Sequence, residues 1–342
     1  MKSLSKSDAK EVVLPVWRRH VFALDRSQYR PNSSPAPFHM RTRPLRPGVR
    51  QVEVSIALGT DPPENAFMPR DRIDTTFHET FALSLPAVAS VLSLCDEHEG
   101  DLTADLISNL TTLGPNYVKA MPRYARGCGL LEMDSYALTS FGHAVVSHDR
   151  NLMRAETLWL MHYHMSAPHG PGPAFWNFLI TSILRIGQSI ERSDTSKVVG
   201  EYVSTATGKN LSERTLESAA TAFLGTYAKS DALGRLGILA LVEDLRGKYQ
   251  VMQPDLPSVW VLAYALADYW EACDPHSSEM LLKDLGRADG LAGLFFMGPG
   301  MLGTLLSELQ SAGVVGIKRD APPFVVTKLW RSRQELMDRV YA

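Results

Sequence analysis

Three cations in the first half of the chain have the spacing of a DNA-reading helix. Lys119, Arg123 and Arg126 follow each other at intervals of four and three residues, so on one helix they project from the same face. A cationic stripe near a helix N-terminus contacts DNA phosphates, and arginine also reads guanine edges. Asn116 lies at the start of the same predicted helix. We predict that these four residues contact DNA; the alternative is a solvated helix face.

An arginine-rich segment precedes them. Residues 26–48 contain five prolines, which remove backbone donors and fix φ, so an extended basic arm is predicted. Its Arg41, Arg43 and Arg46 suit a minor groove or a track of phosphates, while a solubilising or subunit-docking tail is the alternative. Residues 1–50 carry a net charge of +8, although the whole chain of 342 residues carries −2. The body is therefore acidic, which opposes DNA binding.

The elements around the three cations follow the order of a winged helix-turn-helix. A short helix capped by Asp101 or Thr103 is expected to lead, after the turn 113–116, into the helix that carries the cations. Two strand-like pieces within 130–139 complete the order helix, turn, helix, hairpin. Pro122 lies inside the second helix and is expected to kink or shorten it.

The same order is predicted again near the C-terminus. Helices near 278–285 and 300–312 precede a hairpin whose strands are Val314–Lys318 and Phe324–Leu329. Lys318 and Arg319 of this hairpin are predicted to contact DNA as well. The fold class is therefore mainly α: a helical protein with two winged helix-turn-helix-like units and a small N-terminal extended or β segment.

Four domains are predicted from these patterns. They are a basic arm with a short strand region (1–73, the strand alternating over 52–58), a winged-helix-like domain (74–150), a helical domain (151–275) and a second winged-helix-like domain (276–342). In the helical domain, Ser212 is expected to cap a long helix. Further helices are predicted at 231–245 and 257–272, with a strand-like piece at Lys248–Met252 between them.

The histidines do not form a metal site by spacing. His162 and His164 flank Tyr163 on a predicted helix, where positions two apart point to nearly opposite faces, so hydrogen-bonded structural histidines are predicted instead. His78 and Glu79 resemble an acid–base pair, but sequence neighbours do not face a common point. Packing or capping is the favoured role for this pair.

Motifs of nucleotide binding and acyl transfer are missing. Asn210 follows Gly208-Lys209, so a P-loop is excluded; no GxGxxG sequence follows a predicted strand, and no GxSxG nucleophile elbow occurs. Four tryptophans on helical patterns are predicted to lie in the core: Trp159, Trp176, Trp260 and Trp270. We predict a protein that is not an enzyme and has neither metal nor cofactor. An enzyme with an unfamiliar site around His78, Glu79 and His162 is the alternative left open.

The cysteines and the hydropathy indicate a cytoplasmic protein. Cys95, Cys128 and Cys273 lie too far apart for a CxxC motif and fit reduced thiols. No run of 18 apolar residues occurs, and the N-terminus is too polar for a signal peptide. We expect a soluble, cytoplasmic protein with no membrane partner.

A set of short motifs in fixed order resembles a bacterial family. The motifs are His78–Phe81, Leu113–Ala120, Leu138–Gly142, Thr157–His162, Phe175–Asn177 and Thr226-Tyr227, within roughly residues 74–330. The family is an uncharacterised one, labelled as a domain of unknown function. Its genes tend to lie beside PAPS-reductase-like genes in DNA phosphorothioation and phage-defence islands. No catalytic residues follow from the resemblance.

Two features depart from the family pattern. At the turn 113–116 the family pattern resembles Gly-Lys-Asn, whereas this chain has Gly114, Pro115 and Asn116. Pro115 takes the place of the lysine, so one phosphate contact is lost. The basic extension before residue 74 is the second departure. The resemblance implies an accessory protein of a DNA-modification or anti-phage system. It is expected to bind double-stranded DNA, which could be modified, and other components of that system. A scaffold that binds partner subunits rather than DNA is the alternative.

Overall fold

The computed structural model describes Arg72 and residues 74–242 and 247–342. The helices are α1 (Leu85–Glu97), α2 (Ala104–Leu110), α3 (Pro115–Gly127), α4 (Ser140–His148), α5 (Ala155–Ser166), α6 (Ala174–Phe178), α7 (Arg192–Thr207), α8 (Glu213–Ala228), α9 (Val259–Cys273), α10 (Leu282–Leu285), α11 (Leu291–Leu294), α12 (Pro299–Ser311) and α13 (Arg333–Val340). The strands are β1 (Ser189–Glu191), β2 (Leu239–Leu241), β3 (Lys248–Val251), β4 (Glu279–Leu281), β5 (Val315–Lys318) and β6 (Val325–Lys328). The mainly helical class is confirmed. The predicted strand 52–58 and Arg41, Arg43 and Arg46 lie outside the described residues.

The first unit, residues 85–148, has the predicted order of elements. The side-chain oxygen of Thr103 accepts a hydrogen bond from the Leu106 amide, which begins α2 as expected of an N-cap. The hairpin, here called the first wing (residues 131–138), is held by one antiparallel bridge between Leu131 and Leu138. The predicted strand pieces are therefore reduced to a single pair of residues.

The second unit, residues 189–251, has a strand–helix–helix–hairpin order that was not predicted. Its sheet has the order β1–β3–β2, with both pairs antiparallel, and α7 packs on α8 beside it. Ser212 caps α8 through the Thr215 amide, as predicted. The helix predicted at 231–245 is wrong, because Gly237 adopts a φ of 71° and ends a 3₁₀ turn, Leu233–Leu236, before β2 begins.

The third unit, residues 279–328, has a similar order, with three helices instead of two between its first strand and its hairpin. Its sheet has the order β4–β6–β5, and α10, α11 and α12 lie between β4 and the hairpin in sequence. The hairpin prediction is confirmed by the register Val315↔Lys328 to Lys318↔Val325. The described residues all belong to one compact unit, within which no domain boundary is resolved. The predicted boundaries at 73/74, 150/151 and 275/276 therefore stay predictions.

Two buried helices, α5 and α9, form the centre of the compact unit to which all the described residues belong. Helix α5 is buried from Thr157 to Ser166 and packs against α9, which is buried from Val261 to Trp270. A helix that is apolar on all sides belongs inside a core. Gly129 joins the first unit to this centre: its φ is 74°, and a Cβ there would lie 2.6 Å from Cγ of His164.

The predictions for the tryptophans are correct at three positions of four. Trp159, Trp176 and Trp270 are buried, whereas Trp260 at the start of α9 is half-buried. Trp260 lies under the guanidinium of Arg339, 5.3 Å from the ring centroid. The cysteines are free thiols, with Cys95 and Cys128 buried and Cys273 exposed.

Candidate nucleic-acid interface

Helix α3 begins at a proline and continues past a second one. Pro115 occupies the first turn, where no intrahelical partner is needed for its missing N–H, and Gly114 precedes it as N-cap. Pro122 removes one main-chain hydrogen bond inside the helix, but α3 still runs to Gly127. Pro122 is buried with Met121 and Tyr124, so tertiary packing compensates for the lost bond. The expected shortening of this helix is wrong.

The first turn of α3 is exposed. Asn116 and Lys119 are both solvent-exposed and lie three residues apart, so their side chains share one face. Val118 and Ala120 are buried on the other side. The helix therefore presents an amide, an ammonium group and free N-terminal N–H groups in one place, an arrangement that favours a phosphate.

Arg123 is engaged by a carboxylate of the preceding turn. Its Nη1 donates to Oε1 of Glu79 at 2.8 Å and to the Phe77 carbonyl at 3.4 Å. The side chains of Arg123 and Glu79 keep 41% and 32% of their surface exposed, so both remain accessible to a ligand. Glu79 thus has Arg123 as its partner, and the acid–base pairing with His78 is not formed.

Backbone strain marks the turn that carries Glu79. Glu79 and Thr80 have φ values of 46° and 74°, which side chains with a Cβ rarely adopt. The Thr80 amide donates to Nδ1 of buried His78 at 3.0 Å, and burial lowers the pKa of this imidazole. Tyr124 of α3 donates from its hydroxyl to the Phe81 carbonyl at 2.8 Å. Arg123 and Tyr124 therefore fasten the turn to α3.

Arg126 supports the first wing. Its Nε and Nη2 donate to the carbonyls of Glu132 and Ser135 at 3.3 and 3.0 Å, and its guanidinium lies 4.9 Å from the centroid of Tyr136. The wing also exposes the carboxylates of Glu132 and Asp134. The predicted stripe is therefore divided: Asn116 and Lys119 are exposed, while Arg123 and Arg126 make intramolecular contacts.

The hairpin of the third unit presents its two predicted cations to solvent. Lys318 and Arg319 are exposed, and Nη2 of Arg319 reaches the Gly303 carbonyl of α12 at 3.5 Å. Helix α12 itself carries a single charge, that of Glu308. Its exposed face is consequently neutral to acidic.

His162 is a structural residue with both ring nitrogens bonded, as predicted. Nδ1 accepts from the Tyr227 hydroxyl at 2.8 Å, and Nε2 donates to the Leu294 carbonyl at 2.7 Å. The Tyr227 oxygen in turn accepts from Nε1 of Trp176 at 2.9 Å. Burial lowers the pKa of His162 to about 4, so the imidazole is neutral and links α5, α6, α8 and α11.

Helix α9 carries a buried carboxylate that was not among the residues predicted from the sequence. Oδ2 of Asp268 accepts from Nε2 of His169 at 2.8 Å and from the Tyr163 hydroxyl at 3.0 Å, and Oδ1 pairs with Nη1 of Arg333. Burial alone would raise the pKa of Asp268, but the His169 hydrogen bond and the charges around it outweigh burial and hold this pKa well below its usual range. The available signal was one acidic residue in the middle of the apolar helix pattern 259–273.

No metal cluster is found in the described part of the chain: no three His, Cys, Asp or Glu side chains there are placed to share an ion. Nor is any helix among these residues long and apolar enough to cross a membrane.

These observations define a mainly helical protein with small antiparallel sheets. The chain belongs to the family described as "Protein of unknown function (DUF4007)", which matches residues 76–326. This match agrees with the span of the resemblance seen in the sequence; the gene neighbourhood stays a prediction.

Solved structures share the fold. A "Magnesium ion-bound SspB crystal structure" has a TM-score of 0.67 and 16% identity, and an "SspB crystal structure" has a TM-score of 0.65 and 15% identity. Both alignments cover 81% of this chain and 90% of the other. No curated protein matches the sequence. At this identity, the likeness to SspB shows the fold alone.

Proposed function

We propose that this protein is a non-enzymatic, cytoplasmic DNA-binding accessory component of a bacterial DNA-modification or anti-phage system. The observation that carries the proposal is the exposed first turn of α3, where Asn116 and Lys119 stand beside free helical N–H groups. This turn lies in a helix–turn–helix–wing order, in which the second helix enters the major groove. The family resemblance supports the biological setting, in which phosphorothioated DNA is the modified duplex to test.

In this mechanism the α3 turn contacts phosphates, and Arg126 acts indirectly by supporting the wing. Arg123 joins the contact when Glu79 releases it, because a phosphate oxyanion competes with the carboxylate for the guanidinium. The arm with Arg41, Arg43 and Arg46 adds affinity that does not depend on sequence. Lys318 and Arg319 serve as a second contact from the hairpin of the third unit.

The central experiment is fluorescence anisotropy of a labelled duplex, plain and phosphorothioated, over a salt series. Lys119→Ala should weaken binding and reduce the slope of log K against log salt by about 0.9, the value for one neutralised phosphate. Lys197→Ala is the matched control, since Lys197 is an exposed lysine on α7 of the second unit. Equal affinity and slope for the two variants would contradict a contact at α3.

Removal of residues 1–50 separates the arm from α3. The shortened protein should bind duplex more weakly and with a smaller salt slope, while Lys119→Ala in that background should reduce binding further. If the shortened protein keeps the full slope, the arm has no role in binding. A higher affinity for the phosphorothioated duplex than for the plain duplex would show that the protein recognises the modification.

The non-enzymatic part of the proposal is tested separately. One of the structures with this fold is described as magnesium ion-bound, so supercoiled plasmid is incubated with the protein and Mg²⁺. Unchanged supercoiled plasmid is expected. Nicked or linear product that depends on the protein and disappears with EDTA would show an enzyme instead.

A protein-binding scaffold is the second candidate function, and the surface charges favour it. The first wing exposes Glu132 and Asp134, and α12 carries only the charge of Glu308. Such surfaces repel phosphate and suit a protein partner. A stoichiometric partner recovered from the native host without nucleic acid, together with absence of duplex binding at low salt, would establish the scaffold over the DNA-binding protein.

A further inference from the structure

A cleft of about 320 Å³ lies beside α13, and none of its lining residues belongs to α3. Its walls are the start of α9 at Trp260, the turn 312–314 after α12, the segment 329–331 and one face of α13. Its volume is at the lower end of the range for small-molecule sites. The cleft has room for one compact ligand or for the end of a chain, but not for a length of macromolecular strand.

One residue of the cleft lining carries a buried donor with no partner. Trp330 lines the cleft and is only 6% exposed, and its Nε1–H has no hydrogen-bond acceptor among the described residues. The indole nitrogens of Trp176 and Trp270, which are also buried, donate to Tyr227 and to the Ser277 carbonyl. An indole N–H only donates, so a ligand that satisfies it must bring an acceptor.

The charges around this donor are predominantly positive. Arg331 and Arg339 line the cleft and are exposed, and neither forms an ion pair within the described part of the chain. The Lys328 ammonium group lies 5.4 Å from the Trp330 ring centroid. The carboxylate in the lining is that of Glu335. By contrast, Arg333 of the same helix is neutralised by Asp268 and Glu271.

The position of Arg339 leaves its hydrogen-bonding edge available. Its guanidinium is held over the face of Trp260 at 5.3 Å by a cation–π contact rather than by a carboxylate. A guanidinium stacked on an indole keeps its N–H groups, which lie in its own plane, for an oxyanion. A cationic pair plus a buried N–H donor selects for an acceptor-rich anion.

We propose that this cleft is a phosphate site, held by the guanidinium groups of Arg331 and Arg339 and by Nε1–H of Trp330. The same phosphate chemistry has two sources, a free nucleotide or the terminal phosphate of a DNA strand. The site is independent of α3, so its failure and the failure of the proposed DNA contact are separate results.

The test observes the indole N–H signals of the six tryptophans by two-dimensional NMR on the full chain. Trp330→Phe identifies the Trp330 signal, and the remaining indole signals report whether the fold is kept. Inorganic phosphate and adenosine monophosphate should each shift the Trp330 signal, and adenosine should not. A short DNA strand with a 5′-phosphate is compared with the same strand without it: a shift that requires the phosphate indicates the strand end, and a shift by the mononucleotide alone indicates a free nucleotide.

Substitutions separate this site from non-specific attraction. Arg339→Gln and Arg331→Gln should each weaken nucleotide binding about tenfold, the effect of losing a hydrogen bond to a charged group. Arg287→Gln is the control, since Arg287 is an exposed arginine engaged with Asp289 elsewhere on the surface. Absence of a Trp330 shift with every phosphate probe, or equal weakening by the control, would overturn the proposal. A shift by acetate as strong as that by phosphate would also overturn it.

Discussion

Oε1 of Glu79 lies 2.8 Å from Nη1 of Arg123, and this ion pair fixes the turn before α1 to the helix proposed to meet DNA. The pair neutralises one cation of the predicted stripe in the free protein. Because both side chains are partly exposed, the attraction is worth about 0–1 kcal/mol and a phosphate can replace the carboxylate. Glu79 therefore competes with phosphate for Arg123 in the proposed DNA contact.

The first prediction concerns this carboxylate. Glu79→Gln should strengthen duplex binding several-fold and increase the salt slope by about 0.9, because Arg123 becomes available to one more phosphate. The free energy of unfolding should fall by less than about 1 kcal/mol. Anisotropy over a salt series and urea denaturation measure the two effects.

Glu97→Gln is the control for charge, since Glu97 is an exposed glutamate of α1 without an ion pair in the described residues. This substitution changes the net charge by the same amount as Glu79→Gln. If it strengthens binding as much as Glu79→Gln does, release of Arg123 is not the cause.

The second prediction separates Arg126 from Lys119. Arg126→Ala removes two hydrogen bonds to wing carbonyls and a contact with Tyr136, so the free energy of unfolding should fall by about 1–2 kcal/mol. Hydrogen exchange at amides 131–138 should accelerate as the first wing loosens. Lys119→Ala should leave the free energy of unfolding and the exchange rates of amides 131–138 unchanged, because the Lys119 side chain is exposed. An equal loss of stability in the two variants would disprove a supporting role for Arg126.

The third prediction concerns the buried carboxylate of α9. Asp268→Asn should lower the free energy of unfolding by about 1.5–3 kcal/mol at neutral pH, because the buried donors of Tyr163 and His169 lose their ionised acceptor while Arg333 keeps Glu271. Asp289→Asn, in an exposed pair with Arg287, should cost less than about 1 kcal/mol. Denaturation by guanidinium chloride measures both variants, and similar losses would argue against the network.

The same variant has a defined pH dependence. The folded state holds the pKa of Asp268 below its ordinary value, so the stabilisation is complete above about pH 4 and is lost as pH falls towards the lowered pKa. The stability difference between the parent protein and Asp268→Asn should therefore narrow below about pH 4. A difference that stays constant through this range would show that the charge of Asp268 is not what stabilises the fold.

The fourth prediction concerns His162. Its folded pKa of about 4 lies below the ordinary value near 6.5, so the unfolded state takes up a proton first as the pH falls. The contribution of His162 is complete above pH 6.5 and declines by about 3 kcal/mol towards pH 4. His162→Gln should be less stable at pH 7 and show a shallower loss of stability in this window. His276→Gln, at an exposed histidine, is the control for the substitution itself and should leave the free energy of unfolding at pH 7 nearly unchanged.

Local patterns were sufficient for the elements that carry their own signals. Thr103 and Ser212 are N-caps whose side-chain oxygens accept hydrogen bonds from amides in the first turns of α2 and α8. Residues of this type before a helical pattern predict where a helix begins. The hairpin β5–β6 follows from two apolar runs around a proline-containing turn. The sequence also determined the mainly helical class, the burial of Trp176 and Trp270, and the bonded state expected of His162.

Only the tertiary structure decided which groups meet. Strands β1 and β2 have three residues each, too few to show alternation, and they form because β3 lies between them. The spacing of Lys119, Arg123 and Arg126 is a property of one helix, but their availability depends on Glu79 and on the first wing. Asp268 meets His169 and Arg333 across 99 and 65 residues. Periodicity specifies the face of a helix on which a side chain lies, whereas its partner is set by the packing of distant segments.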